Sequence, residues 1–209
     1  MTKQQAIQII VKCAKQYHKY LENHQIAFVY RDGNNHSDYT EVRFRSYNFL
    51  HFTGLTPRSG LNANDFYRYA LNNRISERDF TFRDSHTTEL KLQILDVIMN
   101  IDSRARMIGN YIGSHIEMYT EKVTGTTTAC LGLISKGDCY IPNSVLKEDI
   151  RTIVSKPPGK IYAIFKKKLN NPLYTELTYK SQNFFITKRC LPKDLLSQIE
   201  PSLFESPEA

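Results

Sequence analysis

The 209-residue chain has no tryptophan and four cysteines, and it has no apolar run of the length a membrane span needs. The cysteines, Cys13, Cys130, Cys139 and Cys190, form no C-x-x-C pair and have no histidine at zinc-ligand spacing. A zinc module and a disulfide scaffold are therefore excluded, and small buried hydrophobes in a reducing compartment are expected. The start, MTKQQAIQIIVKCAK, lacks the long apolar core and cleavage site of a secretory signal. The expectation is a soluble, cytoplasmic protein with no membrane partner. The glycines of GNYIG and GTTTACLG are not followed by the Lys-Ser/Thr of a phosphate loop. Repeats, low-complexity tracts and linkers are also missing, which favours one principal domain.

Acids are scarcest in the second half. Between Arg151 and Lys193 stand ten Lys or Arg and one acid, Glu176, in a chain whose net charge is +7. The remainder thus sums to −2. A one-signed basic region needs a polyanionic partner or a reason to tolerate self-repulsion, and it points to a nucleic acid, RNA before DNA. With 41% apolar and 11% aromatic residues, the chain can bury a core.

In chain order, Ile7, Ile10, Ala14, Tyr17 and Leu21 fall at steps of three and four, so residues 1–24 read as an amphipathic helix packed on a domain spanning 25–193. QIAFVYR and TEVRFRSYNFLHFTGL, joined by DGNNHSD, read as two strands of a hairpin. Asn62 or Asn64 caps a short helix through Leu71, Ser76 and Asp79 suggest another helical turn, and an apolar stripe over 88–109 predicts a long helix stopping at Gly109. Four β-rich segments follow between Tyr119 and Lys180. SQNFFITKR reads as a last strand and Leu191 to Leu203 as a closing helix. From Asp194 the tail carries four acids and no base, so 194–209 could lie on the basic region. The fold class is α+β: an antiparallel sheet of four or more strands with helices packed on one face.

The segments NFLHFTGL, FYRYALNN, TTELKLQILDVIMNI, MIGNY, YTEKVTGTTTACLGL, YIPNSVLKEDIR, IYAIFKK and YTELTYK are similar, in order and character, to the fourth group of phage-associated nuclease-like proteins of the barnase–EndoU–colicin–RelE superfold. The resemblance runs from about residue 25 to 190. It implies an α+β nuclease fold and an activity typical of the superfold: metal-independent ribonuclease or toxin, of phage or mobile-element origin, without cofactor or metal.

Cleavage of that kind uses the 2′-OH of the RNA as nucleophile and needs a base, an acid and cations around the phosphate. Of six histidines, His18, His24 and His36 read as surface residues, and His86 and His115 lack supporting context. His51, within the apolar run Phe49–Phe52, reads as a titratable group at the end of a buried strand, the acid or base of the reaction. With a period of two, Lys166 and Lys168 share one face of IYAIFKKK and Lys167 takes the other. Tyr174, Glu176, Thr178 and Lys180 would share a face of the next strand, so Tyr174 and Thr178 are candidates to orient the phosphodiester. Arg151, Lys166, Lys168, Lys180 and Lys122 are candidates for binding it. Tyr140, Tyr162, Tyr174 and Tyr179 interleave with these cations as stacking platforms would.

Two alternatives stay open. Glu89-Leu90-Lys91 has the E-x-K spacing of metal-dependent nucleases, with Asp79 or Asp84 as the second carboxylate, although the triplet opens a helical pattern. The other is a module without catalysis, an inhibitor or anti-defence factor binding nucleic acid or protein. A cleaving protein could also have an inhibitor or immunity partner.

Overall fold

A two-stranded ribbon, β1 (His24–Arg31) and β9 (Gly159–Lys168), runs through the centre of the molecule, and every layer is placed relative to it. The computed structural model describes residues 1–83, 86–113, 119–182 and 184–205. Helix α1 (Lys3–Tyr20) opens with a capping box between Thr2 and Gln5 and buries Ala6, Ile10, Cys13, Ala14 and Tyr17 on one face. Strand β1 then pairs antiparallel with β2 (Ser37–Arg43), the hairpin expected from sequence.

The return strand stops at Arg43. Asn48 Oδ1 accepts from Arg45 N–H, and Asn48–Thr53 form helix α2, which ends at Gly54 with a left-handed φ of 67°. Phe49 and Phe52, three residues apart, reach the rings of Tyr17 and Tyr67 from that helix. An apolar run this short can be read as either element, and here the tertiary aromatic cluster decides it. Strand β3 (Leu55–Pro57) leads to α3 (Ala63–Leu71), capped by Asn62, and pairs with β4 (Phe80–Phe82). Ser76 and Asp79 close a tight turn before β4 and extend no helix.

The single long helix expected over 88–109 is three elements: α4 (Thr87–Ile98), α5 (Ile101–Arg104) and β5 (Met107–Asn110). Asn100 interrupts the helix, and Ile108, read as part of the helical stripe, lies in a strand. Strands β6 (Lys122–Gly125), β7 (Cys130–Lys136) and β8 (Cys139–Leu146) form an antiparallel meander. The segment starting at Tyr119 thus contains two strands. After α6 (Ile150–Ile153) come β9, β10 (Glu176–Lys180) and α7 (Lys193–Leu196). The described part of SQNFFITKR is not a strand, and Asn183 lies outside the described residues.

The sheet order is β1-β2-β8-β7-β6-β5-β9-β10, and β9 also pairs with β1, so seven strands close into a ring with β10 outside it. Among the described strands all ladders are antiparallel except one parallel bridge, Val42 to Tyr140, between β2 and β8; outside the strands a second parallel bridge joins Tyr174 to Ile199. The fold is α+β, with the main core between the inner face of the sheet and α1 to α5. Two smaller clusters lie on the outer face: α6 on Val123 and Cys130, and the C-terminal segment on Ala27, Val29, Ala163 and Phe165. Cys13, Cys130 and Cys139 are buried, and all four thiols are free. Among the described residues no helix is long and apolar enough to cross a membrane.

Candidate active site

The joint between α1 and β1 holds the cleft best equipped for chemistry. Asn23 takes a left-handed φ of 59°, a conformation asparagine tolerates. Its N–H donates to Phe44 O at 3.0 Å, and its carbonyl accepts from Leu169 N at 2.9 Å, so the joint is tied to the ends of β2 and β9. His18 comes from the last turn of α1, Glu22 from the joint, and His24 is the first residue of β1. With Arg45, Lys168 and Asn170 they line a cleft of about 520 Å³, within the range of small-ligand sites.

Glu22 organises both imidazoles. Its Oε2 lies 2.6 Å from His18 Nδ1 and accepts from the Tyr67 hydroxyl at 3.0 Å. Its backbone carbonyl accepts from His24 Nδ1 at 2.8 Å. A carbonyl cannot donate, so His24 carries its proton on Nδ1 and keeps the Nε2 lone pair. Burial lowers the His24 pKa from 6.5; the nearby Lys166 and Lys168 charges add to this, against the pull of the Glu22 carbonyl bond and Glu176. Tyr67 is 2% exposed, and burial followed by the Glu22 charge pushes its phenol well up, so it remains a donor. Tyr17, fully buried, donates to Arg45 O at 2.8 Å and fixes the backbone that carries that guanidinium. Neither Arg45 nor Lys168 has a carboxylate partner among the described residues.

A family model described as phage-Barnase-EndoU-ColicinE5/D-RelE like nuclease4 matches residues 9–183. The chain belongs to that family. No curated protein and no solved structure matches it. All the cleft residues fall inside the matched span, whereas the C-terminal covering segment beyond 183 does not. Membership makes the chain nuclease-like, with nucleic acid as the substrate class it suggests.

Within this nuclease-like fold the candidates read from sequence scatter. Lys168 alone reaches the cleft. Lys166 shares its face, as the period of two requires, but its ammonium is buried, 3.1 Å from Asp102 Oδ2 and 3.2 Å from Glu176 Oε2. Tyr174 is fully buried on the outer side, donating to Glu41 Oε1 at 2.6 Å and accepting from Gln25 at 3.2 Å. Thr178 donates to the carbonyls of Asp102 and Ile164. An irregularity in the β9–β10 register between Leu177 and Tyr179, with Tyr174 lying before the strand begins, breaks the expected shared face. Lys180 pairs with Glu205 of the acidic tail. Arg151 is held by Asp149 at 2.6 Å on the outer side. Lys122 turns inward, donates to Thr40 Oγ1 at 3.2 Å and faces the Tyr30 and Tyr140 rings.

His51 sits on α2 and not at a strand end, a correction that follows from the helix at Asn48–Thr53. It is exposed at its outer edge, yet loss of solvation beside α4, then the Lys91 and Arg83 charges, lowers its pKa. None of the β9 or β10 cations is among its charged neighbours. Glu89 and Lys91 lie on α4, Glu89 near the N-terminal amine, and Asp79 is engaged by Arg58. Among the described residues no group of three or more His, Cys, Asp or Glu could hold a metal ion. His115 and Asp84 lie outside the described residues.

His18 is exposed, as read from the sequence, and His24 is half-buried; the surface reading leaves out their shared partner, Glu22. Helical spacing puts His18 and Glu22 on one face four residues apart, at the very end of the amphipathic pattern. A second histidine follows two residues on, where the strand begins.

Proposed function

We propose that the chain is a metal-independent endoribonuclease whose cleft at the α1–β1 joint cuts RNA by attack of the internal 2′-OH. The observation that carries this reading is the pair of imidazoles held by one glutamate, facing two cations that lack acid partners. His24 Nε2, its lone pair free and its ring neutral near pH 7, takes the proton of the 2′-OH. The 2′-oxygen attacks phosphorus, and the P–O5′ bond breaks. His18, its ring held in place by the Glu22 carboxylate, gives a proton to the departing 5′-oxygen. Arg45 and Lys168, which line the same cleft, supply the cations that answer the charge building on the non-bridging oxygens. The products are a 2′,3′-cyclic phosphate and a 5′-hydroxyl, after which the two histidines have exchanged protonation states. The phage setting belongs to the same proposal and rests on the family's description.

The test is incubation of the purified chain with labelled RNA and with labelled DNA, each with and without EDTA. Cleavage of RNA alone, indifferent to EDTA and leaving cyclic phosphate ends, is the expected result. RNA binding with no cleavage would make the chain a binding module on a nuclease fold.

A further inference from the structure

We propose that the end of the β1–β9 ribbon opposite the cleft is a second RNA-binding surface, which holds the backbone of a long single strand and makes no contact with the scissile phosphate. Arg31 and Lys160 stand directly opposite each other in the β1–β9 register, both exposed. Like charges so placed destabilise a sheet unless something neutralises them. Neither has an ion pair among the described residues; the Arg31 guanidinium lies 5.7 Å from the centre of the Tyr162 ring and reaches Asn35 Oδ1 at 3.4 Å.

Further cations gather there. The Cys190 carbonyl accepts from Ser37 Oγ at 2.9 Å and from the Tyr162 hydroxyl at 3.0 Å, which ties the segment carrying Lys188 and Arg189 to Ser37, the residue paired with Arg31. Pro157 packs so tightly against Gly33 that a side chain at position 33 would meet its ring at 2.6 Å, and this brings Lys156 to the β1–β2 turn. The acids nearby are occupied. Asp32 Oδ1 accepts from the N–H groups of Asn34 and His36, and Asp38 accepts from Tyr30 at 2.7 Å. The result is five exposed cations set against three carboxylates, Asp32, Asp38 and, near Tyr39, Asp194, so the surface keeps a net positive charge.

Seven residue steps separate His24 from Arg31, about 23 Å along an extended strand. One nucleotide in the cleft cannot reach that far, whereas a longer strand can. The preference for RNA over an acidic protein rests on the proposed function; the surface and its charge do not.

The test measures binding by fluorescence anisotropy, which does not depend on cleavage. The triple variant Arg31→Ser, Lys160→Ser, Arg189→Ser is compared with the unaltered chain on a trinucleotide and on a single strand of about 30 nucleotides. Three lost phosphate contacts should weaken the long strand at least tenfold and flatten its log–log salt slope by about 2. The trinucleotide should bind, and be cut, as before. Melting temperature should hold or rise, since a like-charge pair is removed. Unchanged affinity for the long strand overturns the proposal, as does an equal loss on the trinucleotide; Arg31→Glu alone repeats the test with a single exposed change. Should the chain bind long RNA through this surface yet cut nothing, the surface stands and the nuclease reading falls.

Discussion

Lys166 and Lys168 lie on the same strand and the same face, two residues apart, and the molecule uses them differently. Lys166 lies under α5, where Asp102 and Glu176 take its charge. Lys168 is one residue pair closer to the end, opposite His24, where the sheet stops and the cleft begins. Periodicity fixes a face; depth and partners decide what a charge on that face does. Buried, it requires a counter-ion to offset desolvation. At the rim it remains available to a ligand.

The contrast is sharpest in mutants. His24→Ala should lower RNA cleavage by about 10² to 10³-fold, with RNA affinity and melting temperature nearly unchanged, measured by single-turnover kinetics. Lys166→Ala should instead cost about 3 kcal/mol or more in urea unfolding, because Asp102 is left buried without its cation. Rate per folded molecule should hold. A Lys166 variant that folds normally but binds RNA poorly would undo the contrast. Lys168→Ala should leave stability within about 0.5 kcal/mol and flatten the salt slope of RNA binding by about 0.7.

Tyr67→Phe, which leaves the ring and removes the donor to Glu22, should slow turnover about tenfold through a looser His18, the loss of one hydrogen bond to a charged group. KM should be unchanged. The smallest effect is in pH. Because the His24 pKa is lowered on folding, the unfolded chain takes up that proton first. The stabilisation from neutral His24 is complete above about pH 6.5 and is lost as pH falls towards the folded-state value. His24→Gln should remove that part of the acid sensitivity in urea titrations at several pH values.

Much of the fold was legible because its signals are local. The three-and-four spacing of Ile7, Ile10, Ala14, Tyr17 and Leu21 marks α1, Asn62 caps α3, and the apolar run of 25–31 against the DGNNHSD turn gives the first hairpin. The failures are tertiary. Phe49 to Phe52 reads equally well as strand or helix until Tyr17 and Tyr67 claim its aromatic rings. The basic window of 151–193 looks like one patch in sequence, but the ring of strands spreads it over the cleft, the buried core, the outer face and the far end of the ribbon. Period put Lys168 on the right face but could not tell it from Lys166. The His18–Glu22 spacing is local, but that Arg45 and Lys168 close a cleft over it is a contact the residue types do not announce.

The most direct measurement is the pH dependence of RNA cleavage in EDTA for the unaltered chain, for His24→Ala and for His51→Ala. The account predicts an acid limb below about pH 6.5 that His51→Ala leaves in place at full rate, and loss of cleavage in His24→Ala. Full activity in His24→Ala, with cleavage abolished by His51→Ala, would contradict it.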